Sequence, residues 1–330
     1  MAKNIDESTS LQHKKKSIYI FKSNANWGDA ITEQAKIFQN SGHEVIDFSK
    51  HNIISVNISL IMAFYKRNSN TVFINHSINV YRLLPAILCK PRWIITILLA
   101  HEGEPLFKKR NSKISFQMLR HSKLYHRMAA KLADRLIVLN DQQIGVYKKE
   151  AKTLNFLGTN ATNEHDQHSS ISKTRKRLAF PSNSNTYGKG IDNFHKFTNV
   201  LKQHLVLDVF INTGMPHAKL MNELRSSDII ALTNDEYETY SMILVEALSL
   251  NKLIVASSKL GLVQNFQRTH TNDHLSKMGL FIYTEPSELA SIARKVSVKN
   301  NIHTRRLYDE FGLDCQSATD RLFKYAETVI

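Results

Sequence analysis

Cysteine is scarce in this sequence. Cys89 and Cys315 are the only two among 330 residues. Two isolated thiols exclude the disulfide framework of a small secreted protein and a cysteine-rich metal site. We therefore expect the protein to work in a reducing compartment.

Long hydrophobic runs are also missing. The longest strongly apolar stretch, residues 93–100, has eight residues, whereas a membrane-spanning helix needs about 20. The first fifteen residues are polar, and the apolar run at residues 18–21 is too short for the core of a secretory signal. These absences predict a soluble, cytoplasmic protein.

Acidic residues are few in the first half of the chain. Residues 1–165 contain 24 Lys and Arg against 12 Asp and Glu, a net charge of +12, while residues 166–330 contain 20 against 17, a net charge of +3. The basic side chains are densest over residues 90–131. A one-sided positive field attracts polyanions such as nucleic acid or an anionic membrane. Any single basic cluster is explained by a solvated face, but the asymmetry predicts a first domain that faces an anionic membrane surface.

The rest of the composition is that of a globular protein, with 42% hydrophobic and 22% charged residues. A chain of this length predicts two domains. Residues 1–16 form a polar tail, and residues 17–165 alternate short apolar runs with helical patterns. Residues 166–176 have linker composition, residues 177–303 repeat the alternation, and residues 304–330 predict closing helices. Such alternation predicts an α/β fold with two Rossmann-like halves and a ligand site in the cleft between them.

The predicted elements follow this alternation. In the first half we predict strands at residues 17–21, 43–48, 58–64, 72–75, 93–100 and 135–139, and helices at residues 29–41, 80–88 and 114–133. In the second half we predict strands at residues 177–180, 205–211, 228–233 and 253–257, and helices at residues 191–204, 218–226 and 240–250.

Two glutamates stand at one strand-to-helix junction. Glu238 lies in the polar loop after the strand at 228–233, and Glu246 lies in the second turn of the next helix. A carboxylate among apolar helix residues needs a partner, because its unpaired burial is costly or shifts its pKa. Vicinal ribose hydroxyls are suitable, and the same helix N-terminus offers backbone N–H groups to a diphosphate. The alternative is an exposed or lysine-paired Glu246 and an ordinary loop acid at Glu238.

The string at residues 233–258 resembles the Glu-x7-Glu signature of GT-B glycosyltransferases, specifically the large retaining family 4. It includes Glu246-Ala-Leu and the apolar strand after it. Gly188-Lys189-Gly190 resembles the Lys-Gly segment that opens the second domain's first helix in that family. Residues 26–29 resemble the family's glycine loop, and His101 stands where the family often has a histidine facing the donor sugar.

The resemblance implies two Rossmann-like domains facing each other across a cleft and a role for each matching residue. Glu246 would hold the ribose, Lys189 the phosphates, and Glu238 would contact the donor sugar near its reacting carbon. The other implied site residues are His101, beside the sugar or acceptor, and Gly28, Asn183, Gly190, Thr239, Tyr240 and Ser241 on the donor side.

The implied reaction transfers a sugar from a nucleotide-sugar donor, with retention, to a saccharide or lipid-linked saccharide. Cell-surface polysaccharide or lipopolysaccharide biosynthesis is the expected setting. Positive charge and a helix dipole would stabilise the leaving diphosphate without a metal ion or cofactor. The sequence contains no Asp-x-Asp, which agrees with this expectation.

The sequence departs from the family pattern in three places. Asn183 stands near the position of the family's second phosphate-binding residue, an arginine. Residues 204–220 have one strand and one turn where the family has two such units, in a region that commonly contacts the base. The loop at residues 26–29 has one glycine, Gly28, where relatives often have two.

Alternatives stay open beside this interpretation. A nucleotide-sugar epimerase or phosphorylase has the same fold, and a degenerate transferase would be a scaffold. The pI of about 9.6 suggests a nucleic-acid-binding protein, although no recognisable binding module accompanies the charge, so we expect no nucleic-acid partner. The predicted basic helix at residues 114–132 either packs on the first sheet or contacts anionic lipid at the inner face of the cytoplasmic membrane.

Overall fold

The computed structural model describes the chain in ten stretches. They are residues 18–21, 29–45, 53–66, 71–75, 84–100, 123–149, 151–158, 175–185, 188–238 and 240–329. Within these stretches the strands form two five-stranded parallel sheets, one in each half of the chain. The expected α/β architecture with two Rossmann-like domains is therefore confirmed.

The N-terminal domain has its strands paired in chain order, β1-β2-β3-β4-β5. Its elements are β1 (Ile18–Phe21), α1 (Asp29–Asn40), α2 (Ile53–Tyr65), β2 (Thr71–Asn75), α3 (Leu84–Leu88), β3 (Ile94–Leu99), α4 (Lys123–Leu132), β4 (Arg135–Val138), α5 (Asp141–Tyr147) and β5 (Leu154–Phe156). All of β2 is buried, as expected for a parallel strand covered on both faces. Phe64 and Phe73 belong to the core on one face, and Phe38 and Ile74 to the core on the other.

The C-terminal domain has the strand order β10-β9-β8-β6-β7. Its elements are β6 (Lys176–Phe180), α6 (Ile191–Leu201), β7 (Leu207–Ile211), α7 (His217–Ser226), β8 (Ile229–Leu232), α8 (Met242–Ser249), β9 (Leu253–Ser257), α9 (Gly261–Gln267), α10 (Asn272–Met278), β10 (Leu280–Tyr283), α11 (Leu289–Ser297), α12 (Arg305–Glu310) and α13 (Cys315–Val329). Since β6 leads outward to β7 while β8 leads the opposite way to β9, the strand order reverses between β6 and β8. Ligands of open α/β sheets bind at such a switch point, beyond the carboxyl ends of the strands.

The two domains are joined by helix α13 and by side chains of α9. Leu322 and Ala326 of α13 pack into the core that contains Phe38 of the N-terminal domain. Asn265 on α9 donates hydrogen bonds to two N-terminal carbonyls, that of Leu139 at 2.8 Å and that of Gly158 at 2.9 Å. Because Asn265 is 3% exposed, this amide fixes the domains to each other from inside a buried contact.

One element was predicted with the wrong type. Residues 58–64 were predicted as a strand, but they belong to helix α2. An apolar run of that length has no periodicity that separates a strand from a helix, and the helix extends several residues to its N-terminal side. The prediction also passed over α5, β5, α9, α10, β10 and α11.

Several expectations fall wholly or partly outside the described residues. The tail at residues 1–16 and most of the linker, residues 166–174, are among them, so the domain boundaries stay predictions. The strand expected at residues 43–48 is described only to residue 45 and has no strand there, and the helix expected at residues 114–133 is described from Lys123 onward. No helix within the described stretches has both the length and the apolar character needed to cross a membrane.

Candidate functional site

The switch point brings together two segments that are far apart in the sequence. Lys189 follows β6, and Glu238 follows β8, the neighbouring strand. Lys189 Nζ lies 2.6 Å from Glu238 Oε2, and both side chains are about one-quarter exposed, at 27% and 25%. Asn234 Nδ2 donates to the same oxygen at 2.7 Å. Two of the predicted donor-site residues therefore form one polar centre, and Asn234, which the sequence interpretation missed, completes it.

Gly190 makes the approach of these segments sterically feasible. Its φ of 76° lies in the left-handed region, and an added Cβ would overlap the carbonyl of Thr233 at the end of β8. Thr233 Oγ1 donates back to the Gly190 carbonyl at 2.8 Å. Gly190 is also the residue before α6, so the lysine loop is fixed against β8 at the point where a helix begins.

The backbone of Glu238 is held beside the next strand connection. Glu238 forms an isolated parallel bridge with Leu260. Its N–H donates to the Lys259 carbonyl at 3.1 Å, and its carbonyl accepts from the Gly261 N–H at 2.8 Å. Because both backbone groups are satisfied, the loop that presents this carboxylate is ordered by main-chain contacts rather than by its side chain alone.

Neighbours of Glu238 tie the same loop to both domains. Asn193 Nδ2 donates to Asp235 Oδ1 at 2.6 Å, and burial raises the pKa of Asp235 despite the nearby positive charge of Lys259. Burial also raises the pKa of Tyr237, whose side chain lies beside Asn140 of the N-terminal domain. The Glu238 loop thus contacts the opposite side of the interdomain cleft.

Glu246 lies in a different environment. It is in α8, where its neighbours Val245 and Ala247 are fully buried, and its own side chain is 9% exposed. Its Oε1 lies 2.8 Å from Nε2 of His217, the first residue of α7. Its Oε2 is buried and has no hydrogen-bond partner among the described residues. A carboxylate in this position has one oxygen satisfied and one available to a hydroxyl donor.

The start of α8 is strained. Ser241, the residue before the helix, has φ 67° although it is not glycine. Such a conformation costs about 1–3 kcal/mol and concentrates at functional sites. Tyr240 points its ring into the C-terminal core, where it is 6% exposed. The contact predicted for Tyr240 is between its backbone and the donor diphosphate. Burial of the ring does not bear on that prediction, which stays untested.

The remaining predicted site residues divide into two groups. Asn183 Oδ1 accepts a hydrogen bond from the Asn185 N–H at 3.0 Å, a local turn contact. Its predicted relation to phosphate stays a prediction. Gly28, His101 and Thr239 lie outside the described residues, and so do their predicted contacts.

His217 was not identified from the sequence. The sequence around it shows only a turn at Thr213-Gly214 before a short helix. His217 is also 29 positions away from Glu246 in the chain. Only the packing of α7 beside α8 brings this imidazole to the carboxylate. Asn234 had a clearer signal, since it lies two residues after the end of β8, on the edge of the sheet where ligands bind.

Among known proteins, only solved structures resemble this chain, and they support the fold. No protein-family model and no curated protein sequence matches the chain. A glycosyltransferase from Rickettsia africae ESF-5 superposes with a TM-score of 0.65 at 12% identity, covering 96% of this chain and 99% of that one. Anabaena HepE in complex with UDP and glucose gives 0.61 at 11% identity, covering 95% and 100%.

A third similar structure is a trehalose-6-phosphate synthase studied for glycosyl transfer with retention. It gives a TM-score of 0.58 at 10% identity, covering 92% of this chain and 84% of that chain. The structural neighbours are GT-B glycosyltransferases, and this chain has the GT-B fold.

Proposed function

We propose that this protein is a retaining glycosyltransferase of family 4 that uses a nucleotide-sugar donor. The observation that carries the proposal is the polar centre of Lys189, Asn234 and Glu238 at the sheet's switch point, with buried Glu246 on the helix that follows. A nucleoside diphosphate has a suitable group for two of these residues: its ribose hydroxyls can donate to Glu246, and its phosphates can bind Lys189. Similarity to a fold that in HepE holds UDP and glucose adds support.

The proposed reaction uses charge rather than a metal ion or cofactor. The bond between the anomeric carbon and the diphosphate oxygen breaks while the acceptor hydroxyl oxygen bonds to the same face of the sugar, and its proton passes to the leaving diphosphate. Lys189 and the N-terminus of α8 stabilise the charge on that diphosphate. Glu238 lies 2.6 Å from Lys189. It exchanges this partner for the donor sugar when the donor binds, because the phosphates compete for the lysine ammonium.

A panel of nucleotide sugars tests this function. UDP-, GDP-, ADP- and CMP-sugars would each be added to the protein, and the melting temperature measured with and without EDTA. A donor at 100 times its Kd stabilises the folded state by about 2.7 kcal/mol, so one nucleotide should stand out clearly. With a saccharide acceptor we expect release of the matching nucleoside diphosphate, or of CMP from a CMP-sugar, at a rate that EDTA leaves unchanged. A panel without any thermal shift or turnover would overturn the proposal.

We propose that the acceptor is a saccharide or a lipid-linked saccharide from which a cell-surface polysaccharide or lipopolysaccharide is built. The enzyme would be cytoplasmic and would meet this acceptor at an anionic membrane surface. Helix α2 supports a membrane contact. It contains no charged residue, and one face packs Leu60 and Phe64 into the core. Its opposite face is apolar and each of its large side chains is at least 52% exposed: Ile54, Ile58, Met62 and Tyr65.

The exposed face of α2 continues onto α3. The Tyr65 hydroxyl donates to the Cys89 carbonyl at 3.3 Å, which places exposed Leu88 nearby. An apolar surface of this kind marks an interaction site, and the positive charge of the first half favours an anionic bilayer as its partner. The basic helix that suggested membrane binding is described only in part, as α4, where Met128 is 46% exposed.

Vesicle sedimentation tests the membrane contact. With phosphatidylglycerol–phosphatidylcholine vesicles, the double variant Ile58→Ser and Met62→Ser should bind at least about tenfold more weakly, because two large apolar side chains no longer enter the interface. Val298→Ser removes a side chain that is 75% exposed in the other domain and should change nothing. Wild-type protein that binds neutral vesicles equally well, or a double variant that binds like wild type, would contradict this proposal.

A further inference from the structure

His217 holds Glu246, and a role for this histidine in donor recognition rests on the proposed function. His217 Nε2 lies 2.8 Å from Glu246 Oε1, and the imidazole is 53% exposed while the carboxylate is 9% exposed. An ordinary surface ion pair between two exposed side chains contributes little. Here one partner is buried on an apolar helix, so the contact decides where a desolvated carboxylate points.

The backbone of His217 is placed by a turn built around Asn212. Asn212 is 5% exposed, and its Oδ1 accepts from the Gly214 N–H at 2.9 Å and from the Met215 N–H at 3.0 Å. Its Nδ2 donates to the Pro181 carbonyl, beyond the end of β6, at 2.7 Å. This buried amide fixes the loop between β7 and α7 to the same edge of the sheet as Lys189, and His217 follows as the first residue of α7.

The two carboxylate oxygens of Glu246 differ in their hydrogen-bond partners. An imidazole with its proton on Nε2, neutral or charged, donates to Oε1. Oε2 then has no partner among the described residues although it is buried. A buried carboxylate oxygen is normally satisfied. Oε2 is therefore the oxygen that can accept from a ligand hydroxyl, and the histidine contact determines which oxygen is presented in this way.

We propose that His217 is a positioning residue that orients Glu246 toward the ribose of the donor. By this contact it sets the preference of the site for ribose over a sugar that lacks the 2′- and 3′-hydroxyl groups. In this proposal His217 acts on the reaction through Glu246. Its removal should therefore affect the recognition of ribose hydroxyls, and leave the contacts of the phosphates with Lys189 unchanged.

The experiment compares one nucleoside diphosphate with its 2′,3′-dideoxy form by calorimetry. Of UDP, GDP, ADP and CDP, the nucleotide that wild-type protein binds most tightly is used. His217→Ala should weaken binding of the ribose form by about tenfold, the loss of one hydrogen bond to a charged group, and leave the dideoxy form unchanged. His217→Gln retains an amide N–H donor and should restore most of the preference.

Two further variants complete the design. Glu246→Ala should abolish the ribose preference, and adding His217→Ala to it should cost nothing more, because the histidine acts through the carboxylate. His204→Ala removes an exposed histidine elsewhere in the domain and should behave as wild type. Melting temperatures establish that each variant is folded, and His217→Asn, whose amide is too short to reach Oε1, replaces the alanine variant if that one unfolds.

The outcomes separate the two proposals. If no nucleoside diphosphate binds wild-type protein, the glycosyltransferase proposal falls and this inference with it. If one binds with a ribose preference that His217→Ala leaves intact, or if both nucleotide forms weaken equally, the role of His217 alone is overturned. A preference lost in His217→Ala and restored in His217→Gln supports it.

Discussion

The two glutamates of the site have the same side chain but opposite surroundings. Glu238 lies in a loop, is one-quarter exposed, and has a lysine and an amide on one oxygen. Glu246 lies on a helix, is 9% exposed, and has a half-exposed imidazole on one oxygen and no described partner on the other. Glu238 has a charged partner that a ligand can displace, as suits a carboxylate near the charge that develops in the reaction. Glu246 is a buried acceptor with a fixed orientation, as suits the recognition of neutral hydroxyl groups.

The largest expected effect comes from Glu238→Gln. The variant retains the shape of the side chain and an acceptor for Asn234 but removes the negative charge. We expect kcat to fall by about 100-fold or more, as for loss of a group that stabilises a transition state, with the Kd of the nucleoside diphosphate little changed. Steady-state turnover and calorimetry together check this split. A variant that loses binding and keeps kcat would reverse the roles assigned to the two glutamates.

The next effect comes from Gly190→Ala, which separates Lys189 from Glu238. The new Cβ would overlap the Thr233 carbonyl at a residue with φ 76°, so the loop must move. We expect the free energy of unfolding to fall by about 1–3 kcal/mol, measured by urea denaturation, together with weaker nucleotide binding.

Gly145→Ala is the matched control for that substitution. Gly145 lies inside α5, and nothing stands within 4 Å of an added Cβ. Alanine is the better helix former by about 1 kcal/mol, so this variant should be as stable as wild type or more stable. Equal destabilisation by both substitutions would show that the Gly190 contact has no special role.

The smallest effect is expected from Asn234→Ala. Glu238 then loses one of the two donors that contact Oε2 in the structure, the amide of Asn234, while the lysine that is to bind the phosphates is left in place. We expect kcat/KM to fall by about threefold to tenfold, the worth of one hydrogen bond, without a change in ribose preference. Nucleoside diphosphate and dideoxy nucleotide titrations check the second part. An altered ribose preference would mean that the two glutamates are coupled, and their comparison as separate sites would fail.

The sequence predicted strands better than it predicted short helices. The strand at residues 253–257 is observed with those bounds as β9, and β2, β3 and β4 lie within two residues of their predicted ends. Buried parallel strands are continuous apolar runs, which are visible locally. Helix α2 was mistaken for a strand because it is apolar on the exposed face as well, so it lacks the amphipathic period that identifies a helix.

The same distinction holds at the site. The position of Glu238 after a strand and of Glu246 in a helix followed from local pattern, and the family resemblance linked Lys189 to both. The contacts of Asn234 and His217 were not predicted. The His217 contact depends on how two helices lie side by side, and the Asn234 contact on which acceptor an amide reaches within a folded loop.

By itself, the sequence determined the alternation of strands and helices, the two-domain division and the strand-end positions of the donor-site residues, because each of these depends on neighbours within a few turns of chain. The tertiary structure decided the rest. Strand order β7-β6-β8 placed Lys189 against Glu238, and a buried Asn212 placed His217 against Glu246. Such contacts join residues separated by 29 to 49 positions, and a fold selects them only when the whole sheet is assembled.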